Sequence, residues 1–355
     1  MRFIACLLIL LCSVASGQTT HSTSKKLIEF GWDEPDVAFM RKNIAKMERM
    51  PFDGCVFTLT SDFLGNGWGK RAFTAAELQK AIDDLNATKF ERFTHNFLRF
   101  DVTPGDVDWF DDFSAIVNNA KLAATIARQG KAAGILFDIE QYNAHLWEYA
   151  KQRDAKSKTF DQYAAQAKQR GREVMEAFQQ GYPDLTVFLT FGYTLPLVQG
   201  AKDKSKLAGV EYGLLAPFLD GMLEVVRGNG KIVDGFEISY AWKQMSEFDD
   251  GLKMMRQGVL PIVADAGKYR THMSAGFGLW MDQDWRKNGW DVNDVSKNYF
   301  TPQQFQASVK KALATADEYV WIYTEKPKWW APPSGESELL PSGYVEAVRA
   351  AKEGK

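Results

Sequence analysis

The chain has 355 residues and a formal net charge of −2, with 43 basic and 45 acidic side chains interspersed along its length. This composition offers no basic face for nucleic acid and no acidic tail, so a nucleic-acid partner is not expected. The unusual feature is aromatic: 11 Trp, 12 Tyr and 24 Phe residues, many of which directly follow predicted strands. Such side chains suit an apolar cleft better than a site for a charged ligand.

The first 17 residues have the pattern of a secretory signal peptide. Arg2 supplies a positive start, residues 3–11 form an apolar stretch, and small residues precede residue 18. The apolar stretch is too short to span a bilayer, so no membrane span is expected. A lipoprotein signal at Cys12 is the weaker alternative, because a bulky residue stands before it. We therefore expect a secreted or periplasmic protein whose mature part is residues 18–355.

Eight strand-like runs alternate with helix-like runs, which is the pattern of βα units around a parallel sheet. The predicted strands cover residues 27–31, 54–60, 95–102, 131–140, 185–191, 232–239, 259–265 and 319–324. Residues 275–281 are an alternative for the seventh strand. This rhythm within one domain predicts the α/β class and a TIM (β/α)8 barrel. An open doubly wound sheet is the rival, but no Gly-rich phosphate turn follows the first strand.

The most informative segment is residues 131–140, an apolar run that ends in Asp138 and Glu140. Residues two apart in a strand point to the same side, so the two acids share one face, roughly 6–7 Å apart. In a barrel, the carboxyl ends of the strands hold the active site. We therefore predict that Glu140 is a general acid and that Asp138 raises its pKa by repulsion. The alternative is a structural ion pair, with Arg99 as the partner.

Other strand ends add candidate side chains around the same opening. Glu237 is predicted to face the barrel axis, and either Glu237 or Asp138 is expected to be the second catalytic carboxylate. The alternative for Glu237 is an internal ion pair to Arg99. Glu325 precedes a loop that carries Trp329 and Trp330, which indicates either a sugar-stacking subsite or a hydrophobic lid. The full set of predicted substrate-binding residues is Glu325, Trp329, Trp330, Trp32, Glu29, Arg99, Tyr193, Tyr240, Trp242 and Asp265.

Residues 137–140, Phe-Asp-Ile-Glu, resemble the strand-four signature of family-18 glycoside hydrolases, the chitinases and endo-N-acetylglucosaminidases. The resemblance implies that Glu140 is the acid and that Asp138 assists the acetamido group of the substrate. That signature has two further aspartates, and this sequence has Leu136 and Ala133 at their positions. The ends of the first and last predicted strands are similar to those of exported glycosidase-like barrels.

These patterns together predict an exported glycoside hydrolase that cleaves an oligo- or polysaccharide by carboxylate acid/base catalysis, with no cofactor and no bound metal. One alternative is a non-catalytic carbohydrate-binding barrel, which the abundance of aromatic residues favours. Another is a divalent-metal enzyme that uses hard oxygen ligands from Asp138, Glu140, Glu237 and Asp265. No paired-His pattern for zinc is present. The oligomeric state stays open.

Overall fold

The structure, a computed structural model, describes residues 25–284, 289–330 and 340–355. The predicted signal peptide, residues 1–17, lies outside these ranges. None of the helices formed by the described residues is both long and apolar enough to cross a bilayer.

Nine short strands form a nearly closed barrel, which confirms the predicted TIM-barrel class. The strands are β1 Lys26–Glu29, β2 Gly54–Phe57, β3 Phe97–Asp101, β4 Gly134–Asp138, β5 Thr186–Leu189, β6 Lys231–Asp234, β7 Met273–Ala275, β8 Phe277–Trp280 and β9 Tyr319–Tyr323. Their order in the sheet is β7-β6-β5-β4-β3-β2-β1-β9-β8. Every neighbouring pair is parallel, so all the strands deliver their carboxyl ends to one face of the barrel.

Helices connect the strands on the outside of the barrel, as expected for βα units. They are α1 Val37–Met47, α2 Ser61–Asn66, α3 Gln79–Ala87, α4 Ser114–Gln129, α5 Phe160–Gly181, α6 Thr194–Val198, α7 Leu215–Val225, α8 Met245–Lys253, α9 Ala266–His272, α10 Pro302–Thr315 and α11 Ser342–Lys352. Thr159 and Thr301 begin α5 and α10 with complete capping boxes, in which the glutamine three residues later bonds back to the cap.

The seventh strand is not at residues 259–265, so that prediction is wrong and the alternative placement is the better one. Leu260–Ile262 form a helical turn instead, and Val259, Ile262 and Val263 are buried. β7 and β8 supply the barrel wall instead; β7 pairs with β6, and β8 pairs with β9. Gly276 separates them, and a Cβ there would lie 3.1 Å from the carbonyl oxygens of Asp234 and Tyr319. A glycine therefore lets the chain change partners and bring the two ends of the sheet together.

Two apolar clusters fill the fold, one inside the barrel and one between the strands and the helices. The inner cluster consists of Ile28, Phe30, Val56, Phe97, Leu136, Phe188, Val233, Tyr240, Tyr319 and Trp321. The strand residues between these positions, such as Ile135 and Phe137, face the helices. Because side chains alternate along a strand, the inward positions that follow Leu136 are Asp138 and Glu140.

Candidate active site

A cavity of about 470 Å³ opens at the carboxyl ends of the barrel strands, where active sites lie in barrels of this type. It is lined by Phe30, Gly31, Trp32, Arg99, Asp138, Glu140, Tyr142, Glu237, Tyr240, Trp280, Tyr323 and Glu325. Six of these residues are aromatic and four carry carboxyl groups. The combination of apolar walls and a few convergent polar groups is typical of a small-molecule or saccharide site.

Arg99 is held by three carboxyl groups beneath the cavity. Its Nη2 lies 2.8 Å from Asp138, its Nη1 lies 2.7 Å from Glu34, and its Nε lies 2.8 Å from Asp101. Burial alone would lower the pKa of the guanidinium, but the charges of the three acids raise it well above its ordinary value. The Asp138 side chain is only 2 % exposed. Asp138 therefore forms the ion pair that the sequence left open as an alternative.

Glu140 lies two residues beyond β4 and lines the cavity. Its backbone N–H donates to Oδ1 of Asp138 at 3.1 Å, and the phenol of Tyr142 donates to its side chain. Burial and then the charge of Asp138 raise the pKa of Glu140 to about 7, although the Tyr142 bond and the charge of Arg99 oppose the shift. A carboxyl group with this pKa holds its proton in a large fraction of molecules near neutral pH, as a general acid requires.

Glu237 reaches the same cavity from the turn that follows β6. Phe236 adopts a left-handed backbone conformation with φ of 48°, and its N–H donates to Oδ1 of Asp234 at 3.0 Å. A non-glycine residue with this conformation is uncommon and turns the chain sharply. Glu237 is the next residue in the chain. Burial is the largest cause that raises the pKa of Glu237 well above its ordinary value, and the charge of Glu140 is the second. Two carboxyl groups that influence each other in this way titrate as a pair.

Aromatic side chains form the walls and the mouth of the cavity. Trp32 and Tyr142 are 66 % and 65 % exposed, so their rings are accessible to a ligand. Deeper in the cavity, Tyr240 and Tyr323 stack with ring centroids 5.5 Å apart, and Trp280 meets Tyr323 edge-on at 5.6 Å. These rings offer flat apolar faces beside the carboxyl groups.

Glu325 lies at the rim of the cavity, but the tryptophan pair that follows it does not. Trp329 and Trp330 are 4 % and 1 % exposed, and both rings pack against Phe52. Their backbone N–H groups donate to Oδ2 of Asp33 at 2.7 and 3.3 Å. The prediction that this pair forms a sugar-stacking surface is wrong, because Asp33 draws the loop into the core.

The predictions that Glu29 and Tyr193 bind substrate are also wrong. Ile28 and Phe30 face the barrel interior, so Glu29 between them faces the outer layer, where it is fully buried. Tyr193 is fully buried as well, and its hydroxyl donates to Asp220 at 2.8 Å.

Trp242 and Asp265, two further predicted binding residues, lie away from the cavity. The ring of Trp242 packs edge-on against Phe236 at 5.3 Å, in the layer between strands and helices. Asp265 caps α9, where its Oδ1 accepts the N–H groups of Gly267 and Lys268. The proposed set of metal ligands is therefore not assembled. Within the described ranges, no group of three or more His, Cys, Asp or Glu side chains could hold a metal ion.

The cavity brings together seven of the predicted site residues: Trp32, Arg99, Asp138, Glu140, Glu237, Tyr240 and Glu325. The predicted set omits Phe30, Tyr142, Trp280 and Tyr323, which also line it. Strand alternation could have identified Tyr323, because it lies two residues before Glu325 on the same face. Tyr142 lies in a loop, where no such periodicity applies.

No family model and no curated protein matches this chain. Similar solved structures include a GH5-4 broad specificity endoglucanase from Bacteroides salanitronis, with 11 % identity, a TM-score of 0.48, and coverage of 90 % of this chain and 85 % of that one. A Bacteroidetes-affiliated GH5 cellulase has 10 % identity and a TM-score of 0.48, with coverage of 94 % and 92 %. These structures do not show the family-18 resemblance. Similarity at this level carries no conclusion about the activity of this chain.

Proposed function

We propose that this protein is an exported glycoside hydrolase. Its Glu140 and Glu237 carboxyl groups flank the glycosidic bond that is cleaved. The observation that supports this function is a pair of mutually interacting carboxyl groups, both with raised pKa, in one aromatic-walled cavity at the carboxyl ends of the strands. Most glycoside hydrolases use two carboxyl groups that flank the scissile bond. The proposal of export rests on the signal-peptide pattern of residues 1–17.

In the proposed reaction, Glu140 gives its proton to the glycosidic oxygen while the bond from that oxygen to the anomeric carbon breaks. Repulsion between the two acids favours a state in which one is ionised and the other keeps its proton. In one course, ionised Glu237 bonds to the anomeric carbon, and water activated by Glu140 then breaks that bond and releases the sugar. In the other, Glu237 takes a proton from the water that attacks the anomeric carbon. A carboxyl separation of roughly 5 Å suits the first course, and about 6.5–9.5 Å suits the second.

Asp138 acts in this proposal through Glu140 and does not touch the substrate's reacting atoms. Arg99 fixes its side chain, and its Oδ1 accepts the N–H of Glu140. Its charge is also the second largest cause of the raised pKa of Glu140. Asp138 is therefore a positioning residue that keeps a proton on the acid.

The test compares Glu140→Gln and Glu237→Gln on a glycan panel, with released reducing ends as the readout. Each variant should lose about 10²–10⁴-fold in rate on the glycans that the wild type cleaves. On a dinitrophenyl glycoside, whose leaving group needs no proton, Glu140→Gln should retain kcat/KM and Glu237→Gln should not. Glu176→Gln, on the exposed face of α5, is the matched control. Full activity of Glu140→Gln on a wild-type glycan substrate would contradict the proposal.

A second candidate is a non-catalytic carbohydrate-binding protein, which the exposed rings of Trp32 and Tyr142 favour. In that case the wild type would bind a glycan and release no reducing ends. Trp32→Ala would weaken the binding, whereas Glu140→Gln would leave it nearly unchanged. Calorimetric titration of the same glycan panel separates this candidate from the hydrolase.

A further inference from the structure

The cavity presents carboxyl groups to a substrate, and the described residues that line it include no cation free to bind an acidic group. Asp138, Glu140, Glu237 and Glu325 contribute four acidic side chains to its lining. Of the described residues that line it, only Arg99 is positively charged. The charge that a substrate meets is therefore decided by whether Arg99 is free to bind it.

Arg99 forms ion pairs with three carboxylates of the protein. Nε, Nη1 and Nη2 each lie 2.7–2.8 Å from a carboxylate oxygen, and the side chain is 18 % exposed. Recognition of a substrate carboxylate or sulfate by arginine needs a free fork of two parallel N–H donors. Arg99 cannot offer that fork while Glu34, Asp101 and Asp138 occupy it.

Among the described residues, two lysines lie close to the rim of the cavity. The amine of Lys328 donates to the carbonyl oxygen of Glu325 and lies 5.8 Å from the centroid of the Trp32 ring. The amine of Lys326 lies 3.4 Å from Asp284. Neither lysine lines the cavity. An acidic sugar would thus bring its charge among carboxyl groups, in a half-enclosed space where water screens repulsion poorly.

On the basis of the glycosidase function above, we propose that this cavity selects glycans whose sugar at the cleavage site carries no acidic group. Neutral sugars pack their apolar ring faces against the aromatic walls. An ammonium-bearing sugar is accepted as well, because the carboxyl groups offer it counter-charges and the exposed face of Trp32 offers a cation–π contact. Uronates and sulfated sugars bind more weakly, because the ionised carboxylates of the lining repel their charge.

The test uses the full-length Glu140→Gln variant, in which turnover is slowed about 10²–10⁴-fold, and three β-1,4-linked oligosaccharides that differ in charge. These are oligomers of glucose, of glucosamine and of glucuronic acid, titrated calorimetrically at low ionic strength. The glucuronic acid oligomer should bind at least about tenfold more weakly than the better of the other two. Raising the salt concentration should narrow the difference. Equal or tighter binding of the acidic oligomer overturns the proposal.

Glu325→Gln in the same background removes one carboxylate from the lining and should narrow the discrimination, whereas Glu176→Gln on α5 should leave it unchanged. The selection between charged and uncharged oligosaccharides is measured by their binding affinities, so it can be tested independently of hydrolysis. Selective binding of the uncharged oligomer, without any turnover by the wild type, would contradict the hydrolase and support the charge selection.

If none of the three oligosaccharides binds, the charge of the cavity can be read without a sugar. Iodide and caesium ions quench tryptophan fluorescence and have opposite charges. The contribution of Trp280, which lines the cavity, is the difference between the wild type and Trp280→Phe. With the quenching of free N-acetyltryptophanamide by each ion as the reference, caesium should quench this contribution more strongly than iodide, and equal or reversed relative quenching overturns the proposal.

Discussion

Glu29 and Glu140 show at the scale of single residues how strand alternation decides the use of a carboxyl group. Glu29 lies at an outward position of β1, and burial, then the charge of Asp33, raises its pKa well above the ordinary value. Glu140 occupies an inward position just beyond β4, where it meets both the cavity and Tyr142. The same type of side chain is fully buried in the first case and lines the cavity in the second.

We predict that Tyr142→Phe moves the basic limb of the pH–rate profile to higher pH. As the acid, Glu140 must be protonated, so kcat/KM should fall about tenfold per pH unit above its pKa of about 7. The hydrogen bond from Tyr142 lowers that pKa, and its loss should raise it. Profiles measured on a glycan with a poor leaving group test this. A limb that stays in place, or moves to lower pH, contradicts the assignment; Tyr149→Phe, outside the cavity, is the control.

We also predict that Arg99→Met lowers the free energy of unfolding by about 3–5 kcal/mol at pH 7, because removing the cation leaves buried carboxylates uncompensated. Urea denaturation measures the loss. It should shrink at pH 5, where the acids can take up protons. Arg41→Met is the control, because Arg41 is 54 % exposed in its pair with Asp84 and should change stability little. Equal stability of the two variants would rule out a structural role for the Arg99 cluster.

At the scale of elements, the close approach of β4 to β5 sets the register of the strand that precedes Glu140. Gly134 pairs with Thr186 at the start of the two strands, and a Cβ at Gly134 would lie 1.8 Å from the carbonyl oxygen of Thr186. Backbone atoms cannot give way as a flexible side chain can. The glycine therefore permits the pairing that aims Asp138 and Glu140 at the cavity.

Gly134→Ala should accordingly reduce the free energy of unfolding by about 3 kcal/mol or more, since β4 and β5 must separate. Gly65→Ala is the matched control. Gly65 lies in α2 and a Cβ there would meet no heavy atom within 4 Å. That substitution should stabilise the protein by up to about 1 kcal/mol. Similar unfolding midpoints for the two variants would show that the strand contact is not limiting.

At the scale of the whole molecule, the barrel holds more buried acid than buried base. Burial is the largest cause of a raised pKa in each member of this acidic group, which comprises Glu29, Asp33, Glu34, Asp101, Glu140 and Glu237. The folded protein therefore binds more protons than the unfolded chain above the ordinary carboxyl pKa. Its stability should fall as pH rises through that range.

Glu29→Gln should flatten this pH dependence. The contribution of Glu29 is fully present below its unfolded pKa, near 4.5, and is lost as pH rises toward its raised folded value. One proton corresponds to a slope of at most about 1.4 kcal/mol per pH unit. Urea unfolding from pH 5 to 9 measures the slope in the wild type, in Glu29→Gln and in the control Glu176→Gln. Identical slopes in all three would mean that Glu29 ionises normally in the folded state.

Local sequence periodicity is enough to predict the parallel βα architecture and the inward face of β4. Apolar runs of strand length alternate with helical stripes, and side chains two apart share a face. The sequence therefore predicts that Asp138 and Glu140 face the same cavity. It is also why Arg99, two residues after the inward Phe97, belonged to the same group.

The partners of these side chains depend on tertiary contacts, which the local sequence does not reveal. Asp33, almost 300 positions away in the chain, accepts the backbone N–H groups of Trp329 and Trp330. Arg99 pairs with Glu34, which follows β1, and with Asp138, at the end of β4. Such contacts depend on how distant segments come together, and no local pattern records them. The turn of Phe236 and the division of the seventh strand at Gly276 arise in the same way, from the closing of the barrel.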